Sequence, residues 1–151
     1  VDSFCRTLMR HGEPVERFEF ELTESALMEE GGSVVLEAFR AAGFALAIDD
    51  FGTGYSSLGY LKRFQVGALK IDQSFVQGLP SDGENAAIVS AVIQMGRALN
   101  IAVVAEGVET EAQAEFLLAC GCHVLQGYLL GSPMPPDQLV SHVRSSWPLT
   151  A

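Results

Sequence analysis

The fold is decided by the stretch Ala45-Leu-Ala-Ile-Asp-Asp-Phe-Gly-Thr-Gly-Tyr-Ser-Ser57, in which an apolar run ends in two adjacent acids and a glycine-rich segment. The apolar residues follow Gly43 and are typical of a buried strand over Phe44–Ile48. Two neighbouring carboxylates directly after such a strand have little structural reason to exist, because burying an unpaired charge is costly. The stretch therefore predicts a strand whose carboxyl end carries a functional site.

Apolar runs and helical patterns alternate on both sides of this stretch. The predicted strands are Phe18–Leu22, Phe44–Ile48, Ala68–Ile71, Ile101–Ala105 and Val124–Leu125. The predicted helices are Val1–Arg10, Ser33–Ala42, Ser57–Phe64, Asn85–Leu99, Glu111–Ala119 and Gln138–Val143. Strands that alternate with helices form a parallel sheet with helical cover. The sequence thus predicts an α/β fold of about five parallel βα units.

Each predicted strand ends in or near polar side chains. These residues are Glu21 and Glu24, Asp49 and Asp50, Lys70 and Asp72, Glu106 and Glu109, and Gln126. In a parallel sheet the carboxyl ends of all strands lie on one side, where barrels and open sheets place their active sites. We therefore expect several carboxylates, one lysine and one glutamine to meet at one mouth of the fold.

Carboxylates that cluster repel one another unless they are protonated or neutralised. Oxygen ligands without a suitably placed histidine or cysteine favour magnesium, manganese or calcium over zinc. Two such ions can hold the attacking and leaving oxygens of a phosphodiester displacement, and Lys70 adds a fixed positive charge for a phosphate. A simpler interpretation stays open for any single strand end, where an acid is a common helix cap.

The glycine-rich segment after the paired acids is predicted to be a loop that closes over a ligand or transmits a signal. Gly52 and Gly54, on either side of Thr53, permit backbone conformations that other residues avoid. The spacing matches neither a dinucleotide fingerprint nor a P-loop. The aromatic residues Phe51 and Tyr55 are the ligand or interface candidates of this loop.

The composition of the chain limits which binding partners and which cellular compartment are expected. The chain has 151 residues, 48% of them hydrophobic, and a formal net charge of -10, so an extended nucleic acid is not expected as a partner. A small anionic ligand is compatible with this charge, since a bound metal can invert the local field. Three cysteines without a disulfide pattern predict a reducing, cytoplasmic environment. No apolar run reaches the roughly 18 residues that span a bilayer, although the parent protein could be membrane-anchored.

Five motifs in order resemble those of EAL domains and cover nearly the whole chain. They are Glu21-Leu-Thr-Glu24, Asp49-Asp-Phe-Gly-Thr-Gly-Tyr-Ser-Ser57, Lys70-Ile-Asp-Gln-Ser-Phe-Val76, Ala105-Glu-Gly-Val-Glu109 and Gln126-Gly-Tyr128. The resemblance implies a (β/α)8 TIM-like barrel and the hydrolysis of cyclic di-GMP to pGpG with Mg²⁺ or Mn²⁺ at a two-metal site.

The same resemblance implies a role for each matching residue. Glu21, Asp49 and Asp50 would be metal ligands, with Asp49 shared by both ions. Glu106 would be the general base, and Lys70 would help to hold the attacking water and the phosphate. The remaining roles would be the tethering of the glycine-rich loop by Glu24, the shaping of the pocket by Glu109 and Gln126, and support of the metal side by Asp72.

The chain departs from the family pattern in its first strands. The Glu-x-Leu-x-Arg signature and an asparagine on the strand before Glu21 are both absent, and Gly131-Ser132 replaces a polar and basic pair seen in many members. We therefore expect residues 1–151 to be the carboxyl-terminal portion of a single EAL-type domain, with strands four to eight of the barrel. Such a piece leaves open strand edges and should be inactive by itself.

Three interpretations follow. The chain is part of an active phosphodiesterase, or part of a non-catalytic cyclic di-GMP sensor or partner-docking module, or a fragment that associates through its edges. The resemblance further implies a homodimer with the helix at Ser57–Phe64 in the interface. It also implies sensory or diguanylate-cyclase-like domains upstream in the parent protein.

Overall fold

The computed structural model describes residues 1–28, 31–54, 61, 66–122 and 124–146. Its strands are β1 (Glu19–Thr23), β2 (Ala45–Phe51), β3 (Ala68–Ile71), β4 (Ala102–Ala105) and β5 (Val124–Leu125). Its helices are α1 (Asp2–His11), α2 (Glu24–Met28), α3 (Gly32–Ala41), α4 (Gln73–Val76), α5 (Gly83–Leu99), α6 (Glu111–Cys120) and α7 (Pro136–Ser146). A 3-10 turn covers Val15–Arg17. The predicted helix at Ser57–Phe64 and Tyr55 lie mainly outside the described residues.

The sheet is parallel, and its strand order follows the order of the chain. Each strand from β1 to β5 pairs in parallel with the next one. Parallel neighbours need a crossover connection, and described helices lie between β1 and β2, between β3 and β4, and between β4 and β5. The predicted α/β fold with five parallel βα units is confirmed, and the arrangement is that of part of a β/α barrel. Within the described part of the chain, β1 and β5 form the two edges of the sheet.

The core lies between the sheet and the helices that cover it. All four residues of β3 are buried, and Leu69 and Ile71 pack in one apolar cluster with Val89 and Ile93 of α5 and Leu117 of α6. Full burial of each such side chain contributes about 1.5–3 kcal/mol. This packing fixes the carboxyl end of β3, and with it Lys70, in the centre of the sheet.

Strand β2 extends further than the sequence pattern predicted. The strand continues through both acids to Phe51. Its register against β3 shifts between Ile48 and Phe51, as at a β-bulge, and Asp50 within this stretch has a φ of 53°. The irregularity turns the Phe51 side chain into the core, where it is 5% exposed. The prediction of Phe51 as a loop residue that meets a ligand or an interface is therefore wrong.

Two short helices, α2 and α4, follow β1 and β3 almost directly and were not predicted. Each has four or five residues, too few for an apolar period to show in the sequence. None of the described helices combines the length and the apolar character that crossing a membrane requires.

Candidate active site

One buried lysine gathers acids from neighbouring strands. Lys70 Nζ lies 2.8 Å from Glu21 Oε2, 3.1 Å from Asp49 Oδ1 and 2.8 Å from Glu106 Oε1. The three carboxylates come from β1, from β2 and from the residue after β4, and Lys70 belongs to β3 between them. The parallel register explains the meeting, because Thr23 pairs with Asp49 and Ile71 pairs with Ala105. Polar side chains thus meet at the carboxyl end of the strands, as predicted, and they meet around β3, the middle strand of the sheet.

The charge of this cluster is negative even with the lysine included. Burial alone lowers the pKa of Lys70, but hydrogen bonds to Glu106, Glu21 and Asp49 outweigh that effect, and the net pKa lies above the ordinary value of lysine. The ammonium therefore stays protonated at neutral pH. One positive charge faces three carboxylates, so the site retains an attraction for a further cation.

A second group of acids fits a metal ion. Asp49, Asp50 and Glu106 each offer a carboxylate oxygen, and these oxygens lie within 4.8 Å of one another. Asp49 Oδ1 is buried and, apart from its ion pair with Lys70, has no hydrogen-bond partner in the described part of the chain. An oxygen-only set, in which a buried carboxylate oxygen has only the Lys70 ammonium as a neighbouring polar group, suits a hard divalent cation. Glu21 lies outside this group and is bonded to Lys70.

Asp50 adopts a left-handed backbone conformation, with φ at 53°. A residue other than glycine holds such a conformation at a cost of order 1 kcal/mol or more, and such residues concentrate at functional sites. Asp50 lies within the register shift of β2 and lines the pocket described below.

Glu24 connects the end of β1 to the glycine-rich segment. Its side chain is buried, and Oε2 accepts hydrogen bonds from the backbone N–H groups of Gly52 and Gly54, both at 3.3 Å. Gly52 has a φ of 102°, and an added Cβ would lie 3.0 Å from the ring of Phe75. Thr53 Oγ1 donates to Asp50 O at 2.8 Å. These contacts are those that the predicted loop tether requires, and Tyr55 lies beyond the described segment.

A pocket of about 550 Å³ opens beside the acid cluster. Its lining contains five of the predicted site residues, namely Asp50, Asp72, Glu106, Glu109 and Gln126. It also contains Gln73, Gly107, Gly127, Tyr128, Gly131, Ser132 and Pro133. The volume suits a small molecule rather than a polymer.

Asp72 acts locally as a helix cap. Its Oδ1 accepts a hydrogen bond from Ser74 N at 3.0 Å, at the start of α4, and a second one from the Ser74 hydroxyl. The interpretation of strand-end acids as caps therefore describes Asp72, whereas Asp49 and Glu106 face the lysine. The capping carboxylate also lies at the pocket wall.

Tight backbone packing was the feature of the pocket that sequence reasoning missed. A Cβ at Gly127 would lie 2.2–2.3 Å from the backbone O and N atoms of Val108. Val108 N donates to Gln126 O, and Leu129 N donates to Val108 O, both at 3.0 Å. The only available signal was the glycine inside the Gln126-Gly-Tyr128 motif, since a close backbone approach is a common reason for glycine.

We expect the change Gly127→Ala to displace the pocket wall at Gln126 and Tyr128. The added methyl group meets backbone atoms that cannot rotate away, so we expect a loss of about 2–4 kcal/mol in the free energy of unfolding. Chemical denaturation of the protein would measure this loss. Gly83→Ala is the matched control, since nothing lies within 4 Å of its added Cβ in α5 and we expect a neutral or stabilising effect. Equal stability of the two variants would contradict the packing described here.

The family model described as the EAL domain matches residues 1–133. The chain is 52% identical over 145 residues to the bifunctional diguanylate cyclase/cyclic di-GMP phosphodiesterase MucR of Pseudomonas aeruginosa, with 95% of this chain and 21% of that protein covered. It is 42% identical over 147 residues to the cyclic di-GMP phosphodiesterase NbdA of the same organism, with 96% and 19% covered. The chain thus spans about a fifth of these curated relatives.

Solved structures show the same fold. A structure of the PaMucR phosphodiesterase in complex with c-di-GMP superposes with a TM-score of 0.86 at 52% identity, covering 91% of this chain and 57% of that one. A manganese and cyclic di-GMP complex of Klebsiella pneumoniae BlrP1 gives a TM-score of 0.81 at 37% identity, covering 87% and 34%. BlrP1 has also been solved as a calcium and cyclic di-GMP complex.

Proposed function

This chain belongs to the EAL-domain family, and on that premise we propose that residues 1–151 are the carboxyl-terminal portion of a cyclic di-GMP phosphodiesterase domain. The observation that carries the proposal is the cluster of Glu21, Asp49 and Glu106 around Lys70 beside a pocket for a small molecule. The reaction adds water to one phosphodiester of cyclic di-GMP and breaks one P–O bond, which leaves linear pGpG.

The metal ions of this proposal are Mg²⁺ or Mn²⁺ at a two-metal site of the complete domain. Asp49, Asp50 and Glu21 would hold them. When bound, such ions supply positive charge that polarises the phosphodiester. The oxygen donors of Asp49 and Asp50, which lie within 4.8 Å of each other, support the assignment of these two residues.

The chain's own residues would handle the proton and the orientation. Glu106 would accept the proton of the attacking water, and Lys70, 2.8 Å from Glu106 Oε1, would hold that carboxylate in place. Glu109, Gln126 and Asp72 line the pocket and would contact the nucleotide or its metal side. Glu24 would hold the loop at Gly52 and Gly54 next to the site.

A second candidate is a cyclic di-GMP sensor that binds without hydrolysis. One observation favours it: Glu21 is engaged by Lys70 and lies outside the acid group that fits a metal. A protein that binds cyclic di-GMP but releases no pGpG would support this candidate.

The larger assembly is part of the same proposal. The sheet edges at β1 and β5 are where further barrel strands would add, so we expect the 151-residue piece alone not to turn over cyclic di-GMP. The chain's small share of its relatives supports additional sensory or cyclase-like domains in the parent protein. We also propose a homodimer and, from three unpaired cysteines, a cytoplasmic location for the domain.

Hydrolysis by the full-length protein tests the proposal. We expect Mg²⁺-dependent conversion of cyclic di-GMP to pGpG, resolved by ion-exchange chromatography, and its loss with EDTA. We expect Glu106→Gln to lower kcat by about 100- to 10,000-fold, since the amide accepts no proton from water. Full activity of that variant would remove Glu106 from the role of base, and an inactive wild-type protein would refute the enzymatic proposal.

A further inference from the structure

Gln113 is a buried glutamine outside the acid cluster, 5% exposed at the third position of α6. Its Oε1 accepts hydrogen bonds from Glu109 N at 2.8 Å and from Thr110 N at 2.9 Å. Its Nε2 donates to Val76 O at 3.2 Å and to Gln77 O at 3.3 Å. The amide thus uses both acceptor sites and both donors, which is its full capacity.

The orientation of the amide follows from its neighbours. Two backbone N–H groups face one side of it and two carbonyl oxygens face the other. A flipped amide would set N–H groups against N–H groups, so one orientation alone satisfies all four partners. A carboxylate cannot make this set of bonds, because it has no donor, and a shorter asparagine would not reach both sides.

These four bonds join two separate walls of the pocket. Glu109 and Thr110 end the segment 106–110, which includes Glu106. Val76 and Gln77 form the carboxyl end of α4, the helix that Asp72 caps at its start. Gln113 therefore ties the segment after β4 to the segment after β3.

Direct contact between the same two walls is an independent observation. Gly107 has a φ of 68°, and a Cβ added there would lie 2.5 Å from Gln73 Cβ. Glu106 N donates to Ile71 O at 3.2 Å. A small rotation of either segment would therefore change the position of the other, and the buried amide opposes such a rotation.

We propose that Gln113 is a positioning residue, which clamps segment 106–110 against α4 and so fixes Glu106 and Glu109 relative to Asp72. Its relevance to turnover rests on the proposed phosphodiesterase function. Displacement of a reacting group by about 1 Å can cost on the order of 100-fold in rate, so a clamp at this place bears on kcat.

Three variants of the full-length protein separate the clamp from an ordinary helix cap. Gln113→Glu keeps an acceptor for the N–H groups of Glu109 and Thr110 and keeps a capping box, in which glutamate is favoured, but loses both bonds to the end of α4. Gln113→Met keeps the length and loses all four bonds. Thr110→Ala removes only the capping oxygen that accepts from Gln113 N at 3.3 Å and leaves the bonds to α4 in place. Gln94→Glu, on an exposed position of α5, controls for the added charge.

Hydrogen exchange resolved by mass spectrometry tests the clamp by a measurement that does not depend on catalytic activity. We expect exchange in segment 72–79 to be at least about tenfold faster in Gln113→Glu, with little change in segment 106–112. Gln113→Met should accelerate both segments, whereas Thr110→Ala and Gln94→Glu should leave 72–79 unchanged. If segment 72–79 of Gln113→Glu exchanged at the same rate as in the wild-type protein, the proposal would be overturned.

Kinetics then test whether the clamp positions the chemistry. We expect Gln113→Glu to lower kcat for cyclic di-GMP by about 10- to 100-fold, with KM changed less than about threefold. Faster exchange with an unchanged kcat would overturn the positioning role, because the clamp would then be structural only. If the wild-type protein does not hydrolyse cyclic di-GMP, the proposed function fails, and the exchange measurement still decides the clamp.

Discussion

Replacing Asp49 with asparagine is expected to abolish Mg²⁺-dependent hydrolysis of cyclic di-GMP by the full-length protein, with kcat at least about 1,000-fold lower. Asp49 belongs both to the ion pairs with Lys70 and to the acid group that fits a metal, as Glu106 does, and of these two residues Asp49 is the proposed metal ligand. Asparagine preserves its shape but removes the negative charge, and its amide nitrogen cannot bind a cation. The variant should therefore lose the metal while it keeps the fold.

Two measurements check this expectation. Calorimetric titration of Mg²⁺ or Mn²⁺ should show strong weakening of metal binding in Asp49→Asn, and the pGpG assay should show the loss of turnover. Asp82→Asn is a matched control, because Asp82 caps α5 through bonds to Glu84 N and Asn85 N, and asparagine caps a helix as well as aspartate. Metal binding by Asp49→Asn equal to that of the wild type would contradict the assignment of Asp49 as a ligand.

The sheet was predictable from the sequence because its signal is local. The run Ala68–Ile71 is apolar enough to be a buried strand, and the structure gives β3 the same bounds. The cap and stop signals of α6, Thr110 and Gly121, are equally local. Once strands and helices alternate, the parallel arrangement follows, and with it the side of the sheet on which the acids meet.

The geometry of the acids was less predictable, since it depends on pairing between strands. The sequence pattern ended the second strand at Ile48, but the register shift against β3 carries β2 through Asp50 to Phe51. A bulge leaves no fixed mark in the pattern of one strand, so the burial of Phe51 could not be foreseen. The same holds for Lys70, whose contact with three carboxylates depends on the register of four strands.

The contacts between loops could not be predicted from the periodicity of the sequence. The spacing Thr110-x-x-Gln113 indicates a capping box, but nothing in it shows that the glutamine also bonds to Val76 O and Gln77 O. Gly127 carries a weaker signal of the same kind. Both residues matter through segments that are distant in sequence, and only the folded chain brings those segments together.

Replacing Lys70 with methionine is expected to destabilise the domain by about 3 kcal/mol in the absence of divalent metal. Methionine approximates the length of the lysine side chain but leaves Glu21, Asp49 and Glu106 without the charge that they share. The Lys70 side chain is 8% exposed, so water replaces it poorly, whereas the Glu21 side chain is 47% exposed and can turn to solvent. The loss should therefore lie near the lower end of the range for breaking a buried ion pair.

A divalent cation should recover part of this loss, because it offers the acid cluster another positive charge. We expect millimolar Mg²⁺ to raise the thermal midpoint of Lys70→Met more than that of the wild-type protein, since binding to the folded state alone stabilises it. Sodium chloride at equal ionic strength separates this effect from screening. Arg17→Met, which breaks the exposed Arg17–Glu13 ion pair, should show almost no destabilisation and no added response to metal. If the lysine and the cation neutralise the same acids, each charge should reduce the stabilising effect of the other. An equal rise of the thermal midpoint with Mg²⁺ in Lys70→Met and in the wild type would therefore contradict this expectation.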